Sequence, residues 1–120
     1  MDGDLAEVII YNTAINDFER IAINNYLSAK YDITLAGNNF YTMDSTVNGD
    51  FDFDVAGIGQ IDASNLLADA RGTGLVRISN PGALDDGDYL FWGNDGGELS
   101  SFGVTDYPSS ELQSRFARVW

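Results

Sequence analysis

Beyond residue 36 every apolar run is soon interrupted by glycine, asparagine or aspartate, and that punctuation restricts the chain to short strands joined by tight turns. Runs at 40–43, 51–61, 75–78, 89–92 and 116–120 read as strands. Between them, Gly37-Asn38-Asn39, Asn48-Gly49-Asp50, Asn80-Pro81-Gly82, residues 85–87 and residues 94–97 supply the residue types that tolerate or impose chain reversal. Only one stretch changes period. Asn16 followed by Glu19 makes a capping-box start, and Phe18, Ile21, Ala22, Tyr26 and Ala29 fall on one helical stripe, which predicts a helix over 17–30. Ahead of it, residues 5–11 (LAEVIIY) form a dense, β-branched run that predicts a mostly buried strand. The expected fold is mainly β with one α-helix: an antiparallel β-sandwich, jelly-roll-like, incomplete at its ends, with the helix laid against it.

Charge excludes several classes of partner. Nineteen acids against six bases give a formal charge of −13, with one lysine and no histidine. Binding nucleic acid requires clustered Lys and Arg, and an anionic membrane surface would repel the chain. No apolar run is long enough for membrane insertion. Fifteen of the acids are aspartate, a residue of turns and of oxygen-ligated cation sites. The absence of cysteine removes disulfide and thiolate chemistry.

Asp50, Asp52 and Asp54 alternate with Phe51 and Phe53, so a regular strand would place three carboxylates on one face. Either solvent or a bound cation relieves the repulsion among them, and calcium suits a set of hard oxygen ligands that Asp62 could join. The spacing is not an EF-hand loop, because Ala56 and Ile61 stand where glycine and the bidentate glutamate are needed. The acidic stretches 85–88 and 94–98 lie at opposite ends of the strand between them and read as turns. Tyr41, Tyr89, Trp92 and Tyr107 are the aromatic candidates for stacking on a sugar, with core packing as the competing role and the stronger one for Phe91, Trp92 and Trp120. Gly57-x-Gly59 reads as close packing or a bulge. Catalytic options are few. Without His or Cys there is no Ser-His-Asp or Cys-His pair, and the four glutamates are scattered.

Gly3-Asp4-Leu5-Ala6-Glu7-Val8-Ile9-Ile10-Tyr11-Asn12, then Asp17, Glu19 and Arg20, then Tyr26-Leu27 and Lys30-Tyr31, resemble the C-terminal strand and closing helix of bacterial laminin-G-like, concanavalin-type jelly-roll domains. The likeness covers about residues 1–35. The remainder, through residues 54–59, 87–96 and 115–120, resembles an uncharacterised β module that follows such domains in bacterial adhesin-like secreted proteins. The resemblance implies two parts, 1–35 and 36–120, packed as one unit, cut from a longer chain and placed outside the cell or on its surface. It assigns no binding residue.

The expected function is therefore a non-catalytic extracellular module of a bacterial surface or secreted protein, serving adhesion or scaffolding and stabilised by calcium. Its partners would be neighbouring domains of a longer chain, a glycan or protein ligand, or a second copy paired through unpaired strand edges. A carbohydrate-binding, lectin-like module is the alternative, and a fragment of a carboxylate-based glycoside hydrolase a weaker one.

Overall fold

The helix is the element most fully dictated by its own residues. In the computed structural model, which describes residues 3–72, 74–99, 102–103, 115–116 and 118–120, α1 runs Asp17–Tyr31. Asn16 Oδ1 accepts the Glu19 N–H at 2.9 Å while the Asn16 N–H donates to Glu19 Oε2 at 2.7 Å, closing the capping box. Asp32, left-handed at φ 51°, ends the helix. Phe18, Ile21 and Ala29 form the buried face.

Asn25 is buried on that same face, four residues from both Ile21 and Ala29, although its side chain is polar. Its amide donates to the carbonyls of Ile21 and Asn38, and its Oδ1 accepts the N–H groups of both Phe40 and Tyr41 at 2.9 Å. All of its polar capacity is used, which is the condition for burying an amide without penalty. The expected strand over 40–43 is not formed, and Asn25 supplies the reason: a side chain has taken the backbone donors that a strand neighbour would need.

The strands are β1 (Phe53–Gln60), β2 (Leu66–Leu67), β3 (Asp69–Arg71), β4 (Arg77–Ser79), β5 (Tyr89–Asn94), β6 (Phe102–Gly103) and β7 (Arg115–Phe116). All pairings are antiparallel, in one three-stranded sheet of order β2-β1-β5 and two ribbons, β3-β4 and β6-β7. The runs at 51–61 and 89–92 thus become the central pair of the main sheet. The run at 75–78 contributes only its end, to β4, and that at 116–120 contributes its start to β7 and, through the Val119 carbonyl, accepts the Asp95 N–H at 3.1 Å. Among the described residues the fold is a small one of a single helix and short antiparallel strands.

The core lies between α1 and the β1-β5 pair. Phe18 reaches Phe91 with ring centroids 6.1 Å apart, and Phe91 is ringed by Phe40, Tyr41 and Tyr89. Two glycines of β1 make this approach feasible. A Cβ on Gly57 would meet the Phe91 ring at 2.6 Å, and one on Gly59 would collide with the Phe18 ring and lie 2.7 Å from the Asp88 carbonyl. The glycine pair is a packing device. Phe18 packs on Phe91, and Ala29 shares a cluster with Val55, so residues from both 1–35 and 36–120 contribute to this core.

Residues 5–11 depart from expectation. They form no strand, and among the described residues none of their backbone groups pairs with another backbone group. Leu5, Val8 and Ile10 are 79%, 63% and 88% exposed. The run has strand-forming side chains but lies as a strap along α1, with a cavity lined by Glu7, Ile9 and Tyr11 between it and the β1 and β3 strands. Glu7 fastens it there, accepting from Lys30 Nζ at 3.0 Å and from the Tyr31 hydroxyl at 2.9 Å.

Candidate functional site

The carboxylates of residues 50–54 do not share a face. Asp50 (φ 61°) and Asp54 (φ 54°) both take left-handed backbone, β1 begins only at Phe53, and its register with β5 shifts between Phe53 and Ala56. A bulge re-aims the side chain it carries. Asp54 is therefore turned toward Asn94, whose buried amide donates to it at 2.8 Å, with Arg118 Nη1 at 3.5 Å. Asp62 is separate again: it caps the turn at 62–65, accepting from the Ser64 N–H at 2.8 Å and from the Asn65 amide at 2.9 Å. The Asn65 hydrogen bonds hold its carboxyl below the ordinary aspartate range.

Asp50 and Asp52 stay together and gain two partners that sequence reasoning missed. Asp32, Asp44, Asp50 and Asp52 line one cavity of about 410 Å³ with Ser45 and Thr46. The turn at Asn48-Gly49 does this, because the N–H groups of Asn48 and Asp50 both bond the Ser45 carbonyl and bring residue 44 back beside residue 50. That turn was legible, and reading across it would have found Asp44. Asp32 arrives from the helix C-cap, where the negative end of the helix dipole adds to the acidity.

Charge is uncompensated in this cavity. Asp52 Oδ1 is buried with no hydrogen-bond partner. Burial, and then the charges of Asp50, Asp44 and Asp32, raise its carboxyl above the ordinary range. The buried Tyr41 hydroxyl, which donates to the Phe51 carbonyl at 2.6 Å, is also pushed up, by burial first and then by Asp44 and Asp52. The donor set is all oxygen, the chemistry calcium prefers. Among the described residues, however, no group of three or more acidic side chains is arranged to hold a metal ion, so coordination would require these carboxylates to turn inward on their loops.

On the other flank of the same helix end, charges are matched. Lys30 lies between Glu7 and the rings of Tyr26 and Tyr31, and donates to the Tyr26 hydroxyl at 2.7 Å. Hydrogen bonds from Lys30 and then Tyr31 hold the Glu7 carboxyl below its usual range, while those to Tyr26 and Glu7 raise the Lys30 ammonium. Arg20, Arg77 and Arg118 are likewise paired, with Asp17, Asp69 and Asp54. Of the aromatic candidates, Tyr41 is 3% exposed and Trp92 half-buried, whereas Tyr89 is 50% exposed. Tyr107 lies outside the described residues.

No protein-family model matches this chain, and no characterised protein or solved structure matches it either.

Proposed function

We propose that this chain is a non-catalytic module of an exported bacterial surface or secreted protein, serving adhesion or scaffolding by pairing with a neighbouring β domain or a second copy. The observation that carries the reading is the strap at 5–11: a backbone that, among the described residues, pairs with no other backbone, apolar side chains turned to solvent, and one carboxylate fastened to the helix. An unpaired apolar edge of this kind is a template for strand addition. Pairing there would complete the jelly-roll-like sandwich that the laminin-G-like resemblance implies. Among the described residues no helix is long and apolar enough to cross a membrane. Amide hydrogen exchange tests it, measured on the chain alone and on the protein in its native assembly. The amides of residues 6–10 should exchange fast in the first and be protected in the second. Equal, fast exchange in both would sink the proposal.

A calcium-stabilised form of this module is favoured by the unpartnered Asp52 oxygen in the four-aspartate cavity. The sign of its pH dependence follows from the raised Asp52 carboxyl. Its contribution to stability is fully present below the ordinary carboxylate pKa and is lost as pH rises through the folded value, so near neutrality the native state holds a repulsive, ionised cluster. A cation relieves that form alone. Calcium at a hundredfold excess over its dissociation constant would add about 2.7 kcal/mol. The expected result is a melting temperature raised by several degrees near pH 7, reversed by chelator and fading as pH falls toward 4. Asp52→Asn should raise the calcium-free melting temperature and blunt the response. An unchanged melting temperature in calcium would remove the ion from the account.

A further inference from the structure

A second concave site, remote in character from the acidic cavity, lies where the start of α1 meets the outer ends of β1 and β5. This cleft has a volume of about 310 Å³, within the range of small-ligand sites. Its floor is the buried pair Phe18 and Ile21. One wall is aromatic: Phe40 and Tyr89 are stacked with ring centroids 4.4 Å apart and planes within 7°. Tyr89 keeps half of its surface in solvent, although it opens a strand beside the core. The rim is polar, with the Asp17–Arg20 ion pair at 3.1 Å on one side and the Gln60 amide on the other. Gln60 is positioned by its own bond to Asp86 at 2.8 Å. Among the described residues neither the Tyr89 hydroxyl nor the Asn38 side-chain amide makes a hydrogen bond within the chain, so both are available to a ligand.

A ring wall facing a rim of carboxylate, guanidinium and amide groups suits a ligand that is apolar on one face and hydroxylated around its edge. A pyranose has that form, its C–H face lying on an aromatic ring while its hydroxyls meet the polar groups. A purely apolar ligand would desolvate Asp17, Arg20 and Gln60 without compensation. Net charge decides among sugars: a chain of formal charge −13, with Asp17 at this rim and Asp86 bonded to the Gln60 amide behind it, repels uronates and sialates. We propose that this cleft is a binding site for a neutral pyranose, with Tyr89 as the stacking residue and Asp17, Arg20 and Gln60 as the hydroxyl-binding groups. The inference is independent of the strap and of calcium.

Saturation-transfer NMR with methyl glucoside, methyl galactoside and methyl N-acetylglucosaminide, and glucuronate as the anionic arm, tests it on the intact chain. At least one neutral glycoside should receive saturation on its C–H face, and glucuronate should receive none. Tyr89→Ala should weaken binding by about tenfold and Tyr89→Phe should preserve it. Arg20→Ala, at an exposed helix position, should weaken binding severalfold with the melting temperature unchanged, which covers the case in which Tyr89→Ala disturbs the fold. Absence of saturation from all three neutral glycosides, indifference to both Tyr89→Ala and Arg20→Ala, or preference for glucuronate would each overturn the proposal.

Discussion

Residues 5–11 and β1 (Phe53–Gln60) are both built from valine, isoleucine and alanine with isolated carboxylates, yet they meet opposite fates. β1 has a neighbour on each side, β2 and β5, and a helix across its face, and there Val55 and Ile58 are 4% and 2% exposed. The strap lies against the helix, and a cavity lined by Glu7, Ile9 and Tyr11 separates it from β1 and β3. Hydropathy thus marks a surface that must be covered without saying what covers it. Burial of such a side chain is worth about 1.5–3 kcal/mol, so β1 contributes that stabilisation within the chain while the strap holds it in reserve.

A large effect comes from the seam between β1 and the helix. Gly59→Ala places a Cβ against the Phe18 ring and 2.7 Å from the Asp88 carbonyl, a backbone atom that cannot swing away. Overpacking of this kind costs about 1–3 kcal/mol, read as a lower urea midpoint with an unchanged slope. An unshifted midpoint would mean that the helix–sheet seam is not the core.

A local effect should separate the two regions by pH. The Glu7 carboxyl is held below its ordinary value by Lys30 and then Tyr31, so the stability it contributes is present above the ordinary carboxylate pKa and lost as pH falls through the folded value. The strap should therefore detach from α1 in acid while the β1-β5 pair remains, seen as resonances of residues 5–11 shifting alone in an NMR titration. Glu7→Gln should produce the same change at neutral pH. Joint loss of strap and sheet would show that the strap is part of the cooperative core.

What could be read from the sequence follows the range of the forces involved. α1 was legible because its cap, Asn16 with Glu19, and its stripe are settled within a few residues. β1 and β5 were legible because turns at Asn48-Gly49 and at Gly87, with φ of 118° and 93° at the two glycines, isolate them. Residues 40–43 were not, because one buried amide thirteen or more residues away, Asn25, claims their backbone. The candidate cation site was half legible. Asp50 and Asp52 belong to it, but the bulge that removes Asp54 depends on pairing with β5, and Asp32 enters only through the tertiary position of the helix end. Asp62 was spaced plausibly and spent locally, on a turn.

The smallest expected change is also the sharpest test of the contrast between the strap and β1. Ile10 is 88% exposed and among the described residues its backbone pairs with no other backbone, so Ile10→Lys should alter the stability of the isolated chain by no more than about 0.5 kcal/mol, as surface substitutions do. Ile58→Lys, at an equally β-branched position that is 2% exposed, would bury an ammonium in the core and abolish folding. The same Ile10→Lys chain should nevertheless lose the protection of amides 6–10 in the native assembly, because a lysine on the pairing face is a standard block to strand addition. A marked destabilisation of the isolated chain would place Ile10 within its core. Neutral stability together with intact protection would show that the strap's outward face is not where the partner sits.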